Sequence, residues 1–224
     1  MKKEIVNYYD ELAKRYDENR FSNSYGKYIN QQENRILKSY LNKNETELNL
    51  DVACGTGRFL DYSDYGVDIS HEMVKVAQDK FPQKKISVAD AEALPFSDSF
   101  FNNVTAFHLF MHLDFPMLKN ILAEINRVTA TGGTFIFDVP SLKRRKITGY
   151  KATSWHGGHQ IKVSQMKEIA GNSWELVSYH GIAFLPIHRI PKKIRPLFIG
   201  IDNLLCRSIF KEYGSHLIFV LRKK

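Results

Sequence analysis

Three aspartates, Asp51, Asp68 and Asp90, each end a short run rich in apolar residues. A glycine turn, Cys54-Gly55-Thr56-Gly57, lies between the first two. Glycines permit positive φ and let a ligand approach the backbone. In open parallel sheets, ligands bind beyond the carboxyl ends of the strands. A carboxylate at Asp68 can take both hydroxyls of a ribose, and one at Asp90 can meet an adenine amino group. One aspartate at a strand end is a turn former. Three in order around a glycine turn point instead to a nucleotide-like ligand. The dinucleotide fingerprint fails, because Leu60 stands where its third glycine belongs. The Gly-Lys-Ser/Thr of a phosphate loop is absent.

Two histidines follow, in Phe107-His108-Leu109-Phe110-Met111-His112. A histidine titrates near about 6.5 and can serve as a general base, so His108 and His112 are the catalytic candidates. The alternative for His112 is a helix-entry residue bonded to backbone. The His-x-x-x-His spacing has no third ligand nearby, so no metal site is expected.

The elements that position these groups alternate. Helical spacing covers residues 4–18 and 27–41. Short strands are expected at 48–53, 65–69, 85–90, 101–107 and 134–139, with helices at 71–80 and about 116–128 between them. Thr131-Gly132-Gly133 reads as the stop of the second of these. Alternation of this kind marks an α/β protein with a parallel sheet covered on both faces. After Pro140 come a charge run at 143–146, a glycine loop at 155–159, a short helix at 164–170, a strand at 174–184, a mixed apolar and basic helix within 190–210, and a last strand at 215–221.

The chain of 224 residues is 43% hydrophobic and 25% charged, ordinary for one globular domain. No apolar run nears the roughly 18 residues of a membrane span, and no secretory signal is recognisable. Two cysteines, Cys54 and Cys206, suit a reducing cytoplasm. The net charge of +8 is divided: residues 1–140 carry −4 and residues 141–224 carry +12.

The segments Asp51–Gly57, Gly66-Val67-Asp68-Ile69-Ser70, Asp90–Phe96 and Glu124–Val128 with Gly132-Gly133 closely resemble the class I S-adenosylmethionine-dependent methyltransferases. The likeness is to the small-molecule branch that includes ubiquinone and menaquinone methyltransferases. It is strong over 45–140, fair over 1–30 and weak after 140. It implies a Rossmann-like seven-stranded, mainly parallel sheet with an antiparallel last strand and helices on both faces. It also implies S-adenosylmethionine as cofactor and S-adenosylhomocysteine as product.

By the same resemblance, Asp51, Ala53, Gly55 and Gly57 would line the methionine part, and Tyr16 would reach its carboxylate. Asp68 would hold the ribose, Ile69 and Met73 would flank the adenine, and Asp90 and Ala91 would meet its edge. Phe107 and His108 would touch the cofactor from the fourth strand. Ala53 departs from the glycine frequent at its position. The chain then divides into N-terminal helices over the cofactor (1–44), a cofactor-binding core (45–140), and an acceptor lid with C-terminal strands (141–224).

The expected acceptor is a small molecule bound under the lid by Tyr150, Trp155 and His156. A nucleic-acid partner is not expected, because no RNA-binding module is recognisable. The other readings are an RNA or a membrane-lipid or quinone methyltransferase using the basic third, and a non-catalytic S-adenosylmethionine-binding module. The segment 187–210 interleaves apolar and basic residues as interfacial helices do, which allows peripheral membrane contact. Its first reading is a helix packed on the sheet with a basic outer face.

Overall fold

The computed structural model describes residues 2–41, 47–152 and 158–224. In chain order the elements are α1 (Lys2–Leu12), α2 (Tyr16–Phe21), α3 (Ser24–Tyr40), β1 (Asn49–Val52), β2 (Tyr65–Asp68), α4 (His71–Lys80), β3 (Lys85–Val88), β4 (Phe101–Ala106), α5 (Phe115–Val128), β5 (Thr129–Pro140), α6 (Leu142–Thr148), α7 (Val163–Ala170), β6 (Trp174–Ile182), α8 (Arg195–Arg207) and β7 (His216–Lys223). The seven strands form one sheet in the order β3-β2-β1-β4-β5-β7-β6. β1 to β5 pair in parallel, and β7 is antiparallel to both β5 and β6. This is the expected mainly parallel sheet with an inverted last strand. The order reverses between β1 and β4, which puts the crevice of such a fold at the ends of those strands.

Period-two alternation decides which side chains meet which layer. On β5, Phe135, Phe137 and Val139 join the cluster containing Leu118, Ile121, Leu122 and Ile125 of α5 and Met166 of α7. Ile136 between them joins Ile29, Ile36 and Leu37 of α3 on the other side. β7 repeats the split: Leu217, Phe219 and Leu221 go one way, Ile218 and Val220 the other. The helix starts are capped by polar side chains. Asp114 accepts from Met117 N at 3.0 Å, Ser70 from Met73 N at 3.1 Å, and Asn23 from Gly26 N at 2.9 Å.

The structure corrects the sequence reading in four places. The helix expected over 4–18 breaks at Ala13–Arg15 into a tighter turn. The break starts a second helix at Tyr16 and brings Asp17 to the glycine turn, where it accepts from Thr56 Oγ1 at 2.6 Å. Gly132-Gly133 does not stop α5. The chain enters β5 at Thr129, and a Cβ at Gly133 would stand 2.6 Å from the Asn102 carbonyl, so the glycine allows β5 to close on β4. The charge run at 143–146 is helical, capped by Ser141.

The fourth correction concerns the face that α8 shows to solvent. It is aliphatic rather than basic: Leu197 and Leu204 are each 71% exposed.

Phe137 is fully buried and contacts Phe110, Phe135 and Phe219. Phe137→Ala should therefore lose about 3–5 kcal/mol in urea unfolding. A loss under 1 kcal/mol would contradict this account of the sheet core.

Candidate functional site

The chain leaves β1 through three backbone positions in the left-handed region: Ala53 (φ 56), Gly55 (φ 54) and Gly57 (φ 90). A Cβ on Gly55 would meet nothing within 4 Å, so this glycine faces open space. Gly57 is different. A Cβ there would stand 2.8 Å from the Phe81 ring, so its lack of a side chain serves packing. Ala53 keeps the turn despite its methyl group, at the modest cost that φ > 0 imposes on such a residue.

Asp68, at the end of β2, is 9% exposed. Its carboxylate accepts from Gly55 N at 2.8 Å and Ser70 N at 2.9 Å. Burial raises its pKa, and the backbone N–H groups of Ser70, Gly55 and Ile69 oppose that rise. Asp51 is buried beneath the turn and accepts from Thr105 Oγ1 at 2.7 Å. Burial pushes it up to about 7. It supports the turn from below and does not line the clefts described here.

Two small adjoining clefts, of about 60 and 70 Å³, share Ile5, Ala53, Asp68, Ile69 and Leu109. Asp90 and Ala91 line the first, and Met73, Phe107, His108 and Tyr16 line the second. The structure thus gathers nearly all of the predicted cofactor residues around one crevice. α1 lies across it: Lys2 Nζ reaches Asp90 at 2.6 Å and also pairs with Glu92, and Ser70 donates to Asp10 at 2.5 Å.

The loop after β3 is fixed from behind. Glu124 accepts from Leu94 N at 2.6 Å, and Arg127 donates to the carbonyls of Phe96 (2.7 Å) and Leu94 (3.0 Å). This is what the Glu124–Val128 motif does. It clamps the segment that follows Asp90.

A larger cleft of about 300 Å³ adjoins these and is lined by Tyr9, Tyr16, Arg20, Tyr25, His108 and His216 among others. His112 also lines it, with Nε2 2.8 Å from Tyr9 OH. Its walls come from α1 to α3, the segment after β4, and the start of β7. Tyr150 lies outside it, stacked against the Arg145 guanidinium at 4.4 Å. Trp155 and His156 lie outside the described residues.

The sequence motifs do not single out the group at the floor of this cleft. His108 (φ 60) sits between two carboxylates, with Nε2 3.0 Å from Glu33 and Nδ1 3.5 Å from Asp138. Arg58 Nη1 meets the other Glu33 oxygen at 2.5 Å. Burial would raise Glu33, but Arg58 and His108 outweigh it and hold the carboxyl at about 2. Burial likewise opposes charge on His108, and Asp138 and Glu33 outweigh it, so that its pKa is raised. His216 lies beside His108 with ring centroids 5.9 Å apart; burial lowers its pKa, and its buried Nε2 has no hydrogen-bond partner.

Donor atoms of His108, Asp138 and His216 lie within 4.8 Å of one another. Two of these donors already face each other, His108 Nδ1 lying 3.5 Å from Asp138. A signal for the group did exist: Glu33 falls on the inner stripe of α3 with Ile29, Ile36 and Leu37, and is fully buried there.

Residues 50–137 match the methyltransferase domain family. An uncharacterised protein of Methanocaldococcus jannaschii is 38% identical over 140 residues, covering 62% of this chain and 52% of the relative. The demethylmenaquinone methyltransferase of Renibacterium salmoninarum is 32% identical over 139 residues, covering 59% of this chain and 57% of the relative. The chain spans about half the length of these two curated relatives.

Among solved structures, a methyltransferase of Thermotoga maritima superposes with a TM-score of 0.70 at 16% identity, covering 98% of this chain and 99% of that one. The magnesium protoporphyrin IX methyltransferase of Synechocystis, solved with S-adenosylhomocysteine, gives 0.69 at 14% and covers all of both chains. Residues 50–137 are thus similar to the methyltransferase domain family, and the chain shares the fold of these solved methyltransferases.

The ion cluster sets a pH dependence. Glu33 is held below its ordinary 4.5, so its contribution is full above that value and is lost as pH falls toward about 2. His108 is raised above its ordinary 6.5, so its contribution is full below 6.5 and fades as pH rises through the raised value. Glu33→Gln should cost about 3–5 kcal/mol near neutral pH, as for a broken buried pair. It should also flatten the acid limb of a urea-unfolding pH series. An unchanged acid limb would show that the pair does not form.

Proposed function

We propose that the protein transfers a methyl group from S-adenosylmethionine to a small-molecule acceptor held in the cleft between α1–α3 and the ends of β4 and β7. The observation that carries the reading is the buried Asp68 carboxylate. It is fixed by two backbone N–H groups and lines a crevice that continues, by way of His108, into a larger cleft. The residues fit the cofactor chemically: an anion for the ribose hydroxyls, aliphatic and thioether walls for a planar base, and an open glycine for the close approach.

When bound, S-adenosylmethionine supplies a methyl carbon already activated by its sulfonium. The chain's own work is then mostly positioning. Asp68 takes the ribose hydroxyls. Ile69 and Met73 flank the adenine, and Asp90 with Ala91, clamped by Lys2 and the Glu124–Arg127 pair, meets its edge. Gly55 and Ala53 face the methionine part, and Tyr16 closes that end. Phe107 and His108 form the boundary with the acceptor.

Both ring nitrogens of His108 are taken up by Glu33 and Asp138, so His108 shapes the floor of the acceptor cleft rather than acting as a free base. His112 is bonded to Tyr9 and holds α1 over the crevice. His216 lines the same cleft, but its unpartnered Nε2 is buried and is not placed to take a proton from an acceptor. The crevice is far below the roughly 300 Å³ of small ligand sites, so α1 lifts for the cofactor to enter.

The relatives act on different acceptors by name, among them a quinone, a sterol and a tRNA nucleoside. Acceptor identity therefore comes from the cleft and not from the family. Methyl-labelled S-adenosylmethionine incubated with small-molecule extract should label a small molecule. Label in RNA alone would overturn the acceptor reading.

Calorimetry with S-adenosylhomocysteine should show Asp68→Ala weakened roughly ten- to hundredfold, the equivalent of about 1.5–3 kcal/mol for a charge-assisted contact. Equal affinity in a folded Asp68→Ala protein would remove the ribose assignment.

A further inference from the structure

α8 is built inside out for a surface helix. Its inward face carries an acid, Asp202, which is fully buried. That carboxylate accepts from Tyr28 OH, from the backbone N–H of Leu185, and from Gln32 Nε2 at 3.2 Å. Its outward face carries Leu197, Ile201 and Leu204, at 71%, 46% and 71% exposure. Their spacing of four and three residues makes one stripe. Ile194 just before the helix and Ile209 and Phe210 just after it extend the apolar surface, with Ile209 88% exposed. A soluble surface helix places its apolar stripe inward, and a contiguous exposed patch of this kind marks an interaction surface.

Charge selects the partner. From Leu185 through Lys211 there are six lysines and arginines and one acid, and that acid is the buried Asp202. Arg189, Lys192, Lys193 and Arg207 are exposed around the stripe. We propose that this face docks the protein on an anionic lipid bilayer, with the aliphatic side chains entering the headgroup boundary and the basic side chains resting on lipid phosphates. A two-fold dimer through the same patch would press these cations against their own copies, with no exposed acid between them. A nucleic acid would match the charge and leave the leucines and isoleucines in water.

The docked face adjoins the larger cleft: Arg195 at the start of α8 donates to Ser24, and His188 packs on Tyr25, which lines that cleft, with ring centroids 5.0 Å apart. Docking therefore places the cleft near the bilayer surface. Among the described residues no helix is long and apolar enough to cross a membrane, so the contact is peripheral.

The test is sedimentation of the full chain with vesicles. It should bind phosphatidylglycerol–phosphatidylcholine vesicles at least about tenfold more tightly than pure phosphatidylcholine. Raising the salt from about 0.1 to 0.5 M should weaken binding by a similar factor. The double variant Leu197→Asp/Leu204→Asp should lose binding to the anionic vesicles, and Lys192→Glu/Lys193→Glu should weaken it. Both should keep the wild-type thermal midpoint and S-adenosylhomocysteine affinity, because all four side chains lie on the surface.

Absence of vesicle binding by the wild type would overturn the proposal. So would vesicle binding indifferent to the leucine variant, a dimer in sedimentation velocity that the leucine variant dissolves, or RNA binding in place of lipid binding. None of these outcomes depends on the methyl-transfer reading.

Discussion

One buried ion cluster is the constraint on which the site depends. Glu33 comes from α3, Arg58 from the segment after the glycine turn, His108 from the end of β4 and Asp138 from β5. Each of these charges would be costly to bury alone. Together they are balanced, so each element is held where its partner's charge requires it. The cluster fixes α3 to the sheet, draws the glycine turn against that helix, and holds His108 in a left-handed conformation that its own side chain disfavours. Strain, charge and cleft coincide at that residue.

Around this centre the work is divided between two layers. The sheet supplies the crevice: strand ends, a turn with open glycine backbone, and a carboxylate already fixed by two N–H groups. The N-terminal helices supply the cover. α1 is tied to the core by polar contacts, Lys2 to Asp90, Asp10 to Ser70 and Tyr9 to His112. Contacts of that kind, at a helix with no fully buried residue, open more readily than an apolar seam. On the proposed function, this is the character that a cover opening for a cofactor needs. The C-terminal third plays a different part. It completes the sheet with β6 and β7, contributes His216, and presents the inverted face of α8.

Local sequence by itself determined the sheet elements, the two histidines after β4 and the order of the three aspartates, because strand period, helix caps and glycine turns act over a few residues. The resemblance to known methyltransferases put Asp68, Ile69, Met73, Asp90 and Phe107 at one ligand, and they line the two adjoining clefts. Only tertiary structure decided the rest. Glu33 and Arg58 are 25 positions apart, and His108 and Asp138 are 30 apart. Their pairing depends on how α3 crosses the sheet. The outward face of α8 depends on Asp202 finding Tyr28 and Gln32 about 170 residues earlier. Periodicity shows that a helix has an apolar stripe. Which way the stripe faces is settled by the partners that the buried acid finds elsewhere in the chain.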